Sequence, residues 1–257
     1  IARSAPAAQA CPGTSEAVLA RREALRAAGE ASQHVHLFGP DGAGKRLATY
    51  TLHRLSNEGR EFVRVSLARA ERDVLKDVGL PEGPCDLGLR GLHLASPAHM
   101  ADLSRLLDRH KDLRVISSAP HSISDLPSHG VPEAILRRLS PQEIALPSLA
   151  NRGADLPVIF EELVRQAVRN LNQDMPEIPH DVYAQVMGRD WPGNLAELRN
   201  FAKSFVLERM VLAEALRRAK GVASEAAIAL GVPRKTFYDR LARHDLRARD
   251  FRPEGLT

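Results

Sequence analysis

Cysteine is scarce in this chain, because Cys11 and Cys85 are the only two among 257 residues. Two cysteines are too few for a disulfide framework or a cysteine-ligated metal site, so we expect free thiols in a reducing compartment. No apolar run approaches the roughly 20 residues that a membrane-spanning helix needs. No charged and then apolar segment of the signal-peptide type opens the chain either. These absences exclude secreted disulfide scaffolds and membrane proteins, and we expect a cytoplasmic protein.

Composition is that of an ordinary globular protein, with 44% hydrophobic and 26% charged residues. The length suits one large domain plus one or two small ones. Position 1 is isoleucine rather than methionine, so we expect the sequence to begin inside a longer protein.

The net charge of +4 is unevenly distributed along the chain. From Lys203 to Thr257 there are 12 Lys and Arg against 7 Asp and Glu, whereas residues 1–202 carry 24 against 25. A basic C-terminal segment predicts an anionic partner, nucleic acid first, although a solvated helical face has the same composition.

A glycine-rich loop spans residues 39–46, Gly39-Pro40-Asp41-Gly42-Ala43-Gly44-Lys45-Arg46. It lies between an apolar strand pattern at residues 34–38 and a helical pattern at residues 47–55. Such a loop can turn successive backbone N–H groups into one anion-binding concavity, and Lys45 adds positive charge beside it. Two features weaken the pattern: Arg46 replaces the usual magnesium-binding Ser or Thr, and Asp41 adds a carboxylate. A turn without a ligand remains the alternative.

Further strand patterns lie at residues 61–67, 91–95, 113–118 and 143–146, separated by helical segments. This alternation predicts a parallel five-stranded sheet covered on both faces, an α/β fold. The glycine-rich loop then follows the first strand at its carboxyl end, where open parallel sheets bind ligands.

Helical periodicity replaces the strand pattern from Asp155 to Asn200 and predicts a small helical domain. Its break at Trp191-Pro192-Gly193-Asn194 predicts a turn that buries Trp191, with Asn194 capping the next helix. We place the boundaries at a linker 1–13, an α/β domain 14–148, a helical lid 149–202 and a C-terminal domain 203–257.

The C-terminal segment has helical patterns at residues 206–219, 223–230 and 233–244. The last two patterns meet at Gly231 and share a small apolar core, which predicts a helix-turn-helix. The second helix carries the candidate DNA contacts, namely Arg234, Lys235, Thr236, Tyr238, Arg240 and Arg243. Such side chains suit phosphates and base edges in the major groove, whereas a hairpin serving oligomerisation alone is the alternative.

Several segments together resemble the bacterial activators of sigma-54 RNA polymerase, the nitrogen-regulation and dicarboxylate-transport response regulators among them. Residues 146–157 are similar to the LPPLRER–DIP segment of that family, and residues 191–200 match its WPGN-VREL-RN motif. Residues 221–241 resemble its Fis-type DNA-binding end. The resemblance implies an AAA+ P-loop domain with a helical lid, followed by an all-α helix-turn-helix domain. It also implies double-stranded DNA, RNA polymerase and a second copy of the chain as partners, and ATP as ligand.

The departures from the family pattern concern catalysis. Family members end the third strand with two acids that hold magnesium and activate water, where this sequence has Leu94-Ala95-Ser96. The fourth-strand asparagine corresponds to Pro120, one arginine of an intersubunit pair to Pro132, and the lid arginine to Ala196. We therefore expect ATP binding without hydrolysis and without metal, hence no enzyme. The nucleotide-binding candidates that remain are Gly39, Gly42, Gly44, Lys45, Arg46 and Arg138.

The family loop GAFTGA, which engages sigma-54, is also missing between the second strand and the expected acidic strand, at residues 68–90. The leading hypothesis is therefore a DNA-binding transcriptional regulator with a degenerate AAA+ domain. An ATP-hydrolysing activator and a non-enzymatic oligomerisation protein are the alternatives. A histidine metal site at His34 and His36 or at His93 and His99 is not expected, because no carboxylate or cysteine completes either set.

Overall fold

The computed structural model describes residues 13–56, 59–67, 74–139 and 141–252. The predicted linker, apart from residue 13, and Cys11 lie outside these ranges. The chain divides into two compact units. The first comprises residues up to Arg152 together with Gly193–Leu195, and the second comprises Gly153–Pro192 and Ala196 onwards.

The first unit contains a five-stranded sheet in the order β2-β3-β4-β1-β5, and every neighbouring pair is parallel. The strands are β1 Val35–Phe38, β2 Glu61–Ser66, β3 Cys85–Arg90, β4 Leu113–Ala119 and β5 Gln142–Ala145. The predicted α/β fold with a parallel sheet is confirmed. Because all strands are parallel, their carboxyl ends lie at one edge, where β1 leads into the glycine-rich loop.

Helices cover both faces of this sheet. They are α1 Glu16–Ala31, α2 Lys45–Leu55, α3 Pro97–Arg109 and α4 Glu133–Leu139. On β4, Val115 packs into one buried apolar cluster and its neighbour Ile116 into another. Successive side chains of a strand point to opposite faces, so the sheet has a hydrophobic core on each side.

The third strand differs from its prediction. The pattern at residues 91–95 predicts a strand, whereas the structure places β3 at Cys85–Arg90 and a short 3-10 helix at Leu92–Leu94. The predicted strand is therefore wrong. Gly91, with φ of 81°, ends the true strand. Ser96 then caps α3: its hydroxyl accepts a hydrogen bond from the backbone N–H of His99.

The prediction failed because β3 contains a buried charge. The carboxylate of Asp86 is fully buried and contacts Arg60 Nε at 2.7 Å, His53 Nδ1 at 3.0 Å and Arg114 Nη1 at 3.9 Å. Arg114 is also buried and donates hydrogen bonds of 2.7 Å to the carbonyl groups of Ala28 and Gln33. This network joins β3 and β4 to helices α1 and α2.

The second unit is helical. Its helices are α5 Leu156–Asn170, α6 His180–Met187, α7 Asn194–Arg218, α8 Ala223–Ala229 and α9 Arg234–Arg243, and α7 begins with two residues of the first unit. The predicted burial of Trp191 is confirmed, and its indole Nε1 donates to the Val186 carbonyl oxygen at 2.7 Å.

Helix α7 is one continuous helix of 25 residues, where the sequence indicates a separate helix from residue 206. The helix begins at Asn194, whose φ is 54°. The predicted domain boundary at residue 203 lies inside this helix. No helix in the described ranges is both long and apolar enough to cross a bilayer.

Candidate functional site

The glycine-rich loop connects β1 to α2 and folds around the side chain of Lys45. The ammonium group of Lys45 donates hydrogen bonds to the carbonyl oxygens of Gly39 at 2.5 Å and Pro40 at 2.8 Å. It also lies 3.8 Å from the Asp41 carboxylate, whose side chain is exposed. The lysine is thus held over its own loop, at the carboxyl edge of the sheet.

Two of the loop glycines are required by close backbone contacts. A Cβ atom on Gly39 would lie 2.0 Å from the carbonyl oxygen of Leu146, and one on Gly42 would lie 2.1 Å from that of Gly193. Both residues have positive φ, 140° and 77°. A side chain at either position would therefore displace the loop.

Asn194 ties this loop to the chain after β5. Its side-chain Nδ2 donates to the Asp41 carbonyl oxygen at 2.8 Å, and its Oδ1 accepts from the Leu149 backbone N–H at 2.9 Å. The asparagine of the Trp-Pro-Gly-Asn motif thus positions the glycine-rich loop, a role that the sequence did not indicate.

A cavity of about 320 Å³ lies beside Lys45 at the carboxyl ends of β2, β3 and β4. Its charged lining consists of Lys45, Arg46, Arg64 and Arg90, and its hydroxyl lining of Thr49, Ser66 and Ser118. None of the described lining residues carries a carboxylate. The sequence predicted Lys45 and Arg46 but missed Arg64, Arg90 and Ser118.

Arg90 is the C-terminal residue of β3, so it occupies the strand end where the family resemblance leads us to expect the magnesium-binding acids. Burial lowers the pKa of Lys45, the Asp41 carboxylate opposes that shift, and the charge of Arg90 adds to it. The alternation of Cys85, Leu87 and Leu89 before Gly91 is the signal that would have located Arg90.

Magnesium is held in proteins by one or two carboxylates together with phosphates and water. The cavity offers cations at both the strand end and the position after the loop lysine, so its residues do not fit a magnesium ion. No group of three or more His, Cys, Asp or Glu side chains in the described part of the chain is arranged to hold a metal.

Three of the four histidines considered as metal ligands, His34, His36 and His99, make hydrogen bonds within the described part of the chain. His34 Nδ1 accepts from the backbone N–H of Val115 at 2.9 Å. His36 is fully buried, and its Nε2 donates to the His121 carbonyl oxygen at 2.9 Å, because a carbonyl can only accept. His99 belongs to the cap of α3.

Arg138, the remaining nucleotide-binding candidate, does not line the cavity. Its guanidinium donates to the Asp108 carboxylate at 2.5 Å and to Ser104 Oγ at 3.0 Å, both on α3. The structure therefore brings together Gly39, Gly42, Gly44, Lys45 and Arg46 and places Arg138 apart from them.

Helices α8 and α9 form the predicted helix-turn-helix. Ala226 and Ala227 of α8 pack with Phe237 and Leu241 of α9, and all four are buried. Gly231, with φ of 65°, provides the turn between the two helices. The predicted shared core is confirmed.

The candidate DNA contacts on α9 differ in how exposed their side chains are and in whether they form ion pairs. Arg234, Lys235 and Arg243 are exposed and have no hydrogen bond or ion pair with a described residue, and Tyr238 is 54% exposed. Thr236 is half-buried. Arg240 differs, because its Nε lies 3.4 Å from the Glu208 carboxylate on α7.

Glu208 also fixes the end of α9. Its carboxylate contacts Nε2 of the buried His244 at 3.0 Å, and the neighbouring Arg209 donates to the His244 carbonyl oxygen at 2.8 Å. Burial lowers the pKa of His244, although Glu208 opposes the shift. The helix is therefore held against α7 with its opposite face uncovered.

Comparison with known proteins agrees with this architecture. Residues 150–219 match the AAA+ ATPase lid domain, and residues 206–244 match the bacterial regulatory proteins of the Fis family. The transcriptional regulatory protein DctD of Rhizobium meliloti is 28% identical over 188 residues, which cover 62% of this chain and 41% of DctD. The chain is related to the sigma-54-dependent transcriptional regulators. The regulatory protein PgtA of Salmonella typhimurium is 26% identical over 91% of this chain and 64% of its own length.

The chain thus spans about two fifths of DctD and under two thirds of PgtA. Among solved structures, NtrX from Brucella abortus in complex with ATP aligns with a TM-score of 0.62 and 21% identity. The alignment covers 90% of this chain and 68% of the NtrX chain. This similarity confirms the predicted AAA+ P-loop fold.

Proposed function

We propose that this protein is a sequence-specific DNA-binding transcriptional regulator in the cytoplasm, whose AAA+ domain binds ATP without hydrolysing it. The observation that carries the proposal is the exposed face of α9. There Arg234, Lys235 and Arg243 are free of ion pairs with described residues, and Tyr238 lies beside them. Unpaired cations on the second helix of a helix-turn-helix suit phosphates and guanine edges in a major groove.

The first experiment measures DNA affinity by fluorescence anisotropy. The double variant Arg234→Ala with Lys235→Ala is expected to bind at least tenfold more weakly, since two charge-assisted contacts are lost. The matched control is Arg165→Ala with Arg169→Ala, which removes two exposed cations from α5. Equal losses in both variants, or unchanged affinity in the first, would move the interface away from α9.

The absence of hydrolysis is proposed from the cavity. Phosphoryl transfer needs metal and charge positioned around the transferred group and a residue that orients the attacking water. The described lining supplies Arg90 where the family resemblance implies acids and Arg46 where a P-loop has Ser or Thr, so we expect no turnover. Phosphate release should equal that of Lys45→Ala at every magnesium concentration. Clear release that disappears in this variant would instead establish the ATP-hydrolysing activator.

We further propose that the protein acts as a dimer or higher oligomer. We also propose that it interacts with RNA polymerase without a sigma-54-contacting loop. Support for the last point is the short connection of residues 67–84 between β2 and β3, which lacks the family motif. Residues 68–73 of this connection lie outside the described ranges. A pull-down with sigma-54 tests the point, and specific retention of sigma-54 would contradict it.

A further inference from the structure

Both positions from which a P-loop protein holds magnesium carry arginine in this chain. One is Arg46, directly after the loop lysine, and the other is Arg90, at the end of β3. We propose that the cavity beside Lys45 binds a metal-free di- or triphosphate group, with Arg46, Arg64 and Arg90 in place of the metal ion. The inference rests on the non-hydrolysing part of the proposed function and is independent of DNA binding.

The three arginines come from three different elements and surround one cavity. Arg46 belongs to α2, Arg64 to β2 and Arg90 to β3. The guanidinium groups of all three are exposed and have no hydrogen bond or ion pair with any residue in the described ranges. An arginine fork binds phosphate through two parallel hydrogen bonds, so these groups offer free donors of the right geometry.

A serine hydroxyl in the lining of the same cavity also makes no hydrogen bond with a described residue. It belongs to Ser118, at the carboxyl end of β4, which is only 5% exposed. The hydroxyl faces the space that the arginines surround, so it is a donor for the same anion.

The positive charge of the cavity favours a phosphate group that has no bound magnesium ion. Within the cavity lining, Lys45 and three arginines face no carboxylate, and Asp41, which is outside that lining, lies 3.8 Å from Lys45. Magnesium would neutralise the phosphate oxygens that the arginines need and would lie beside cations. A free di- or triphosphate carries enough charge to balance the cluster.

The test is isothermal titration of the full chain with ATP and, separately, with inorganic tripolyphosphate. Each titration is run in excess EDTA and again in excess magnesium. The expected result is tighter binding in EDTA for both probes. Binding of ATP alone in EDTA would identify a nucleotide as the source of the phosphates, and equal binding of both probes would show that the phosphates alone are recognised.

Variants at Arg90 make the test specific. Arg90→Ala should weaken binding in EDTA at least tenfold, since one charge-assisted contact is lost. Arg90→Asp restores an acid at the end of β3 and should reverse the preference, with binding that requires magnesium. Arg109→Ala removes an exposed arginine from α3, outside the cavity lining, and should change nothing. Thermal melting checks that each variant is folded.

Three results would overturn the inference: wild-type binding that requires magnesium, an Arg90→Ala variant with unchanged affinity, or no binding in any buffer. None of these bears on DNA binding, which is measured separately with the α9 variant. Magnesium-dependent phosphate release, by contrast, would contradict the non-hydrolysing part of the proposed function. The two failures are therefore distinguishable.

Discussion

At the scale of single residues, the carboxylate of Asp86 holds the sheet to its covering helices. It is fully buried among Arg60, His53 and Arg114. Removing one partner of a buried ionic group leaves the others uncompensated, which costs about 3–5 kcal/mol. We predict a loss of that size in the free energy of unfolding for Asp86→Ala, measured by urea denaturation and circular dichroism.

The matched control for that variant is Asp108→Ala, which breaks the exposed ion pair with Arg138. Exposed ion pairs contribute little because water and salt screen them, so the control should unfold at nearly the wild-type urea concentration. A similar loss in both variants would show that burial of Asp86 is not what stabilises the sheet.

Four partly or fully buried histidines should make the free energy of unfolding depend on pH. Burial lowers the pKa of His34, His36, His93 and His244 below the unfolded value of about 6.5. Between the folded-state pKa and the unfolded-state pKa of each histidine, the unfolded chain binds more protons than the folded chain. The free energy of unfolding therefore rises with pH in that range. The stability that these neutral histidines contribute is fully present above pH about 6.5, and it is lost as the pH falls below that value.

The corresponding measurement is urea unfolding at pH about 7.5 and about 5.5. The wild type should be less stable at the lower pH, and His36→Asn should show a smaller difference because one buried histidine is gone. His36 is fully buried, and its ring contacts the Ser117 hydroxyl and the His121 carbonyl group. Equal stability at both pH values would contradict the assignment of these histidines as neutral in the folded state.

At the scale of elements, the sequence predicts best where a local pattern determines the structure. The strand, glycine-rich loop and helix around Lys45 were predicted because alternation, positive-φ glycines and a lysine are all local signals. The helix-turn-helix was predicted for the same reason. Strand β3 is buried on both faces, and it was missed because Asp86 and Gly88 interrupt the continuous apolar run that such a strand normally has. Only tertiary ion pairing explains a buried aspartate.

The parts of the site that were missed depend on strand order. Arg64, Arg90 and Ser118 lie far apart in sequence and meet because β2, β3 and β4 are neighbours in the sheet. The role of Asn194 likewise requires the turn after Pro192 to reach the loop at Asp41. No periodicity in the sequence carries that information.

Helix α9 gives a prediction about salt. Each phosphate contact releases counterions, so the logarithm of the DNA association constant should fall linearly with the logarithm of salt concentration. If Arg234 and Lys235 both contact phosphates, the slope should be smaller by about 2 in their double alanine variant. Anisotropy titrations over a salt series measure this slope. An affinity independent of salt would contradict an electrostatic interface on α9.

At the scale of the whole molecule, the two compact units divide the proposed tasks. The first carries the glycine-rich loop and the cationic cavity, and the second carries the AAA+ lid and the Fis-type helix-turn-helix. Pairing of two copies, as proposed, requires a DNA target with two-fold symmetry and half-sites about one helical turn apart. A target of that form would establish both the DNA-binding face and the dimer.

Chromatin immunoprecipitation and sequencing of the tagged protein, in the bacterium that encodes it, tests whether the protein binds specific DNA sites through α9. The wild type and the Arg234→Ala, Lys235→Ala variant are compared at equal expression. We expect reproducible sites that share an inverted repeat and disappear in the variant. An absence of sites for the folded, expressed wild type would contradict DNA binding, and sites that persist in the variant would contradict the role of α9.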